Sequence, residues 1–291
     1  MTVAPSNELT PRARLDAIAT MCFASLCFIA MHGFIKTVRG DVPIALIIWS
    51  QYLFQAILLT TLLGPRLSRV VTTQLFGLQI VRALTLMATV SLMFVAVGLM
   101  PLAEAIAIGF VAPLIIAGAS ALFLKERVTA KHWAAILVGF GGVLIVIRPG
   151  TSVFDTASLV PLAAAICAAT YQTLTRPISQ AVSSTSLLYT ATLVGLAASS
   201  MALPFFWVTP SLIAIAYLAA AACLGAAAHF LLIRAYQAAP ASLVAPFSYS
   251  ELIWASAIGL AVFGDVPDAM TIIGGMILAA SGLYILRRPS T

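Results

Sequence analysis

Ten long apolar stretches, each set off by proline, glycine or charge, dominate this chain. They run at about 15–35, 43–63, 79–99, 102–124, 132–148, 157–176, 185–206, 211–235, 241–263 and 269–286. The breaks include Arg39-Gly40-Asp41, Gly64-Pro65-Arg66, Met100-Pro101, Lys125-Glu126-Arg127, Arg148-Pro149-Gly150, Arg176-Pro177, Thr209-Pro210, Ala239-Pro240 and Gly264-Asp265. A hydrocarbon core about 30 Å thick takes about 20 apolar residues as a helix. The stretches are apolar on all sides and do not alternate, which favours helices over barrel strands. Only 8% of the 291 residues are charged and 62% are hydrophobic, against roughly 25% and 45–50% in soluble domains. So few charges cannot cover a surface that faces water, and the mean hydropathy of +1.09 agrees. The expected fold is all-α and integral to the membrane, with ten transmembrane helices. That excludes a large soluble domain, a single-span receptor and a nucleic-acid binder.

The net charge of +6 has a membrane explanation. With the N-terminus in the cytoplasm, the inner side holds Arg12, Arg14, Arg66, Arg69, Arg82, Lys125, Arg127, Lys131, Arg176, Arg234, Arg287 and Arg288. The outer side holds Lys36, Arg39 and Arg148. This bias follows the positive-inside rule and predicts both termini in the cytoplasm. Residues 1–14 form a polar N-terminal tail. The run from Leu15 to Ile35 is too long for a signal-peptide core and reads as the first span.

Catalytic and cofactor signatures are missing from the sequence. Cys22, Cys27, Cys167 and Cys223 lie in apolar stretches without CxxC spacing and read as packing residues, not zinc ligands. No P-loop and no HExxH motif occurs, so neither ATP nor a metal is expected as cofactor. An intramembrane enzyme needs a nucleophile–base pair, and a channel needs a polar ring or filter loop. Neither is visible, so the chain is not expected to be an enzyme.

The two halves of the sequence echo one another. Met100-Pro101-Leu102-Ala103 opens the fourth span and Ala239-Pro240-Ala241-Ser242 the ninth, 139 residues later. At that offset Glu126 falls on Asp265; at 140, Gly142 falls on Gly282 and Pro149 on Pro289. The chain divides into five-helix halves at 15–149 and 157–289. Because five is odd, the second half enters from the opposite side. Inverted repeats with a midplane site between them are a transporter pattern.

Several segments carry a family resemblance. In the first half they are Ala96-Val97-Gly98-Leu99-Met100-Pro101-Leu102-Ala103-Glu104-Ala105, Ala112-Pro113-Leu114, Leu124-Lys125-Glu126-Arg127 and Gly139-Phe140-Gly141-Gly142-Val143-Leu144. In the second they are Arg234-Ala235-Tyr236-Gln237-Ala238-Ala239-Pro240, Ala245-Pro246-Phe247-Ser248-Tyr249-Ser250-Glu251-Leu252-Ile253-Trp254 and Phe263-Gly264-Asp265-Val266-Pro267. As an ordered set they resemble the ten-helix EamA-type members of the drug/metabolite transporter superfamily over nearly the whole chain. The resemblance implies a polytopic inner-membrane carrier of small metabolites with a central cavity between its halves. The second half is similar to the subgroup that includes carriers of S-adenosylmethionine and riboflavin. Many members carry an arginine early in the second helix, where this chain has Trp49-Ser50-Gln51. The four-helix relatives use a glutamate in their first helix, where this chain has only Asp16 at the edge.

Polar residues inside lipid then mark a site, since an ionised group at the bilayer centre costs on the order of 2.5–3.5 kcal/mol. Glu251 lies near half depth in the ninth span and is the candidate proton-coupling group. A carboxyl that exchanges its proton near neutral pH can load and unload as a cavity opens to each side. The plain alternative is a protonated acid that hydrogen-bonds between helices. Phe247, Glu251, Trp254 and Ile258 fall at i, i+4, i+7 and i+11, one stripe of a helix. Its aromatic planes suit a flat or cationic solute, or else helix packing. His229 among alanines, Tyr249, Tyr171 and His32 complete the candidate substrate-binding set. Further polar groups at depth are Gln51, Tyr52, Gln55 and Gln172. Glu104, just past Pro101, is either ordinary first-turn chemistry or an outer gate acid. Lys36 reads as snorkelling to the interface, Arg82 as a cytoplasmic anchor, and Glu126 and Asp265 as loop-ordering residues. The expected partners are a small-molecule substrate and the lipid bilayer. One chain holds both halves, so a monomer suffices.

Overall fold

The computed structural model describes residues 11–66, 74–112, 114–115, 130–148, 155–239 and 245–287. Glu126, Pro113, Pro149, Pro240 and the second part of the fourth span lie outside the described residues. Ten α-helices occur among the described residues: α1 Pro11–Val38, α2 Ile44–Leu63, α3 Phe76–Leu99, α4 Leu102–Gly109, α5 Ala130–Ile147, α6 Leu159–Ala181, α7 Ser184–Ala202, α8 Leu212–Ala238, α9 Ser250–Ile258 and α10 Ala269–Arg287. No strand is found among them. Six stretches are long and apolar enough to cross a membrane: Pro11–Val38, Ile44–Arg66, Phe76–Leu99, Thr156–Thr175, Ser184–Phe205 and Leu212–Leu232. Trp133–Ile147, Phe247–Phe263 and Ala269–Ser281 are shorter apolar helices.

Local chemistry sets the helix ends. Ser183 and Ser211 cap α7 and α8 by accepting from the Ser186 and Ala214 N–H groups, as small polar N-caps do. Asp268 caps α10, accepting from the Thr271 N–H at 2.8 Å. Gly64, at φ +46°, closes α2 in a conformation that costs other residues more. The ninth span is not one uniform helix. Ala245–Tyr249 is 3₁₀, Ser250–Ile258 is α and Gly259–Phe263 is π. Pro246 has no N–H for a helical bond, and Phe247 lies in the 3₁₀ turn ahead of α9.

The helices pack as pairs. α1 lies along α8, α3 along α6, and α5 along α10; α2 meets α7 and α8, α3 also meets α7, α1 meets α9, and α4 meets α6 and α9. Large side chains such as Met21, Ile29, Ile35, Phe94 and Leu218 are fully enclosed. Phe23, Leu137, Met201, Leu212, Ile253 and Leu260 point outward; such an apolar periphery fits lipid. With lipid outside, packing and close approach hold helices together more than hydrophobic burial does. The α5–α10 seam is an example. A Cβ on Gly142 would stand 2.8 Å from the Gly274 carbonyl, and one on Gly274 would stand 2.6 Å from the Gly142 carbonyl.

Two ion pairs join the helices at one end. Lys36, at the end of α1, donates to Asp265 at 2.5 Å and to the Met100 carbonyl at 3.3 Å. Its ammonium also lies 4.8 Å from the Phe263 ring centre. Lys36 is thus held by protein, and Asp265 links two helix ends in addition to ordering its loop. Arg148, after α5, pairs with Asp268 before α10. The arginine hydrogen bond, helped by Thr271 and opposed by partial burial, holds the Asp268 carboxyl at about 2, below the usual carboxylate range.

Gly142→Ala is expected to lower the melting temperature of the purified protein, since overpacking costs about 1–3 kcal/mol. Gly141→Ala should not, because nothing lies within 4 Å of a Cβ there; equal effects would refute the close-approach account. For Asp268, a depressed folded-state value adds stability above the unfolded value of about 3.9, lost as pH falls through the folded one. Wild type should therefore melt above Arg148→Gln at pH 6, with the gap closing between about pH 4 and pH 2. Half exposure of Asp268 keeps that gap small, and a gap independent of pH would contradict the pairing.

Candidate functional site

One face of α1 carries Ser25, Phe28 and His32, spaced to lie together. Ser25 and His32 are buried. The Phe28 ring meets His229 of α8 edge-on, with centres 4.9 Å apart. His32 meets Phe94 of α3 edge-on at 5.9 Å. Gln51 of α2 reaches Met31 of α1, its Nε2 lying 3.8 Å from the Met31 sulfur. Gly225 of α8 makes room for it: a Cβ there would stand 2.5 Å from the Gln51 amide nitrogen. Four helices, α1, α2, α3 and α8, thus close around one polar core.

Several polar atoms in this region have no hydrogen-bond partner among the described residues. They are Ser25 Oγ, His32 Nδ1, Gln51 Oε1 and Ser91 Oγ, the last one turn from Phe94. A buried polar atom left unpaired costs about 1–3 kcal/mol. A run of them on neighbouring faces is the signature of a surface that waits for water or solute.

Helix α9 stands beside α1 and runs parallel to it. Phe247 packs with Ala17, Met21, Ala235 and Ala239, while the Ile258 methyl lies 3.4 Å from a Cβ on Gly33. Glu251, between those points, is level with the middle of α1. It is half-buried, and its carboxyl makes no hydrogen bond or ion pair with a described residue. Trp254 packs against the main core, but its indole N–H has no partner.

The other candidates fall elsewhere. Tyr249 stacks on Phe110, with ring centres 4.8 Å apart. Glu104 is half-buried in the first turn of α4 and interacts electrostatically with Asp268, Arg148 and Asp155, which places it with the ion-paired end. Tyr171 belongs to α6 and joins Arg82. The structure therefore brings Phe28, His32 and His229 together and sets Glu251 and Trp254 alongside. Phe247, Tyr171 and Glu104 contact other partners, and no bond joins Glu251 to His229.

Arg82 departs most from expectation. It is 4% exposed and reaches no water as an anchor would. Its Nε donates to Thr175 Oγ1 at 2.7 Å, and its terminal nitrogens donate to the Leu187 carbonyl at 3.3 Å and Tyr171 OH at 3.1 Å. Only its place on α3, facing two other helices, distinguishes it from a surface arginine, and sequence does not show that. Ser25 and Ser91 were also missed, although the spacing of Ser25 with Phe28 and His32 could have marked it. Cys27 is buried and Cys223 exposed, so the cysteines do not share one packing role. No group of three potential metal ligands occurs among the described residues.

Comparison with known proteins bears on this arrangement. Residues 15–148 match the model of the EamA-like transporter family. The chain is 29% identical to a riboflavin transporter of Vibrio cholerae, over 92% of this chain and 90% of that one. It is 28% identical to an S-adenosylmethionine uptake transporter of Rickettsia bellii, where the match spans 64% of each chain, under two thirds of that relative's length. It is 26% identical to a pseudopaline exporter of Pseudomonas aeruginosa, over 91% of this chain and 93% of that one. A crystal structure of another protein, 18% identical, superposes with a TM-score of 0.65 over 94% of this chain and 96% of its own, which speaks for the fold. The first half of the chain thus matches the EamA-like transporter family, and the chain as a whole is similar to proteins named as transporters.

Proposed function

We propose that this protein is a secondary transporter that moves a small organic solute across the inner membrane by alternating access. The observation that carries the reading is the set of buried polar atoms without hydrogen-bond partners among the described residues, those of Ser25, His32, Gln51, Ser91 and Trp254, on helices of both halves. Such atoms are satisfied when solute or water enters.

The two units are the five-helix halves 15–149 and 157–289, related as inverted repeats. The helix pairing supports this. Exchange of α1 with α6, α2 with α7, α3 with α8, α4 with α9 and α5 with α10 turns the α1–α8 seam into α6–α3. It turns α3–α7 into α8–α2 and α1–α9 into α6–α4, and all of these are contacts of the fold. Both termini lie in the cytoplasm, as the distribution of basic residues supports. In that orientation the Lys36–Asp265 and Arg148–Asp268 pairs close the outer side. They join α1 to the end of the ninth span and α5 to α10, so they must part for the outer side to open. Glu104 stands beside them as the outer acid.

Glu251 couples transport to protons, with Trp254, Phe247 and His229 shaping the pocket. A half-buried carboxyl with no protein partner can exchange its proton with solvent or solute when the cavity reaches it. A second reading, import of a cofactor-like metabolite by exchange, is favoured by the word uptake in the name of the Rickettsia relative; the Vibrio relative's name gives riboflavin as a solute of that kind.

In proteoliposomes, Glu251→Gln is expected to abolish accumulation driven by a pH gradient while leaving substrate counterflow. Accumulation equal to wild type would exclude Glu251 as the coupling group. In a thermal-shift screen of amino acids, nucleosides, flavins, S-adenosyl compounds and lipophilic cations, the stabilising compound raises the melting temperature by mass action. That shift should vanish in Trp254→Ala; a shift of unchanged size would move the site away from α9.

A further inference from the structure

Resting on the transporter reading above, we propose that Arg82, Tyr171 and Tyr52 form an anion-binding end of the substrate site, and that the transported solute carries a carboxylate.

Arg82 presents a buried positive charge with no counter-charge among the described residues. All three of its acceptors, Thr175 Oγ1, the Leu187 carbonyl and Tyr171 OH, are neutral. The ion pairs among the described residues, Lys36–Asp265 and Arg148–Asp268, do not include it. A guanidinium has five N–H groups, so two remain, one on each terminal nitrogen. Tyr171 also faces the cation with its ring, 4.8 Å from centre to guanidinium carbon. Burying an unpaired cation costs several kcal/mol, and neutral acceptors with one aromatic face offset only part of that. An anion that arrives with the solute completes it.

The neighbouring hydroxyls have donors to spare. Tyr171 OH accepts from Arg82, so its own proton remains to be given. Tyr52 is 4% exposed, its hydroxyl has no partner, and it stands close enough to Tyr171 to interact electrostatically. Gly195 fixes the Tyr52 ring, since a Cβ there would stand 2.5 Å from it. Thr175 is already engaged in both directions, donating to the Tyr171 carbonyl at 2.7 Å. The result is a cluster of free donors without a carboxylate, which selects an anion. Its single positive charge matches one carboxylate better than a phosphate dianion, and a guanidinium is suited to paired hydrogen bonds with a carboxylate. Arg82 also lies within electrostatic reach of His229, which connects this end to the polar core. It spans the halves, from α3 to α6 and α7.

The test uses the full-length protein in lipid nanodiscs and matched probes with and without the carboxylate. The pairs are S-adenosylmethionine and its decarboxylated form, L-methionine and methioninamide, and L-tryptophan and tryptamine. At least one acid is expected to bind 10-fold or more tightly than its partner by thermal shift. Arg82→Gln should erase that preference, and Tyr52→Phe should reduce it several-fold. A wild type that binds no acid preferentially overturns the proposal, as does a preference that survives in Arg82→Gln. A purely structural Arg82 would lower the melting temperature and leave the preference intact. If Arg82→Gln does not fold, Tyr52→Phe decides, and an undiminished preference there counts against the site. Glu251→Gln separates this from the coupling reading: carboxylate preference with pH-driven accumulation intact in that variant would remove Glu251 as coupler and leave the anion site standing.

Discussion

Lipid offers no hydrogen-bond partner to a peptide group, and everything else in this fold depends on that. Each backbone N–H and C=O in the apolar interior has to be satisfied inside the chain, which a helix does within one segment. Where the ladder is interrupted, the structure re-uses tighter or wider turns instead of opening the backbone. The ninth span passes from 3₁₀ to α to π within Ala245–Phe263, beginning at a proline that cannot donate. The 3₁₀ part lies beside α1 and α10, not alone in lipid. This is the span that holds Glu251 and Trp254.

Because helices gain little from hiding apolar surface from lipid, contact quality decides which ones pair. Small residues let backbones and polar side chains approach. Gly142 and Gly274 bring α5 and α10 together, Gly195 receives the Tyr52 ring, and Gly225 admits the Gln51 amide. Two of these three contacts position a buried polar side chain, so close packing and the polar interior are one device. The same seams join the two halves, and a change in one of them changes what the polar groups face.

The charged groups divide into two sets with different solvent. At one end, Lys36, Asp265, Arg148 and Asp268 pair with one another. Such pairs near water are weak individually and can be broken and remade. Deeper in, Arg82 and Glu251 have no ionic partner among the described residues. An unpaired charge away from water is expensive, which makes those two positions the natural places for a solute or a proton to act.

Much of the fold was legible in the sequence, and much of the site was not. Span length, apolar character and proline–glycine breaks belong to consecutive residues, so the ten helices follow from local pattern and the thickness of a bilayer. The oddness of Glu251 was visible too, since a carboxyl in an apolar run needs no neighbour to be noticed. Spatial pairing is different. Helices apolar on all sides have no face that points to a partner, so nothing local tells that Arg82 turns inward to Tyr171 and Thr175, or that Lys36 meets Asp265 across 229 positions. The change from 3₁₀ to α between Phe247 and Glu251 is equally invisible in the spacing of residues. The sequence by itself determined a ten-helix membrane protein with a few polar residues set in its apolar spans, because span length and apolar character answer to the solvent. Only the tertiary structure decided which of those residues meet, because that depends on close packing between segments far apart in the chain.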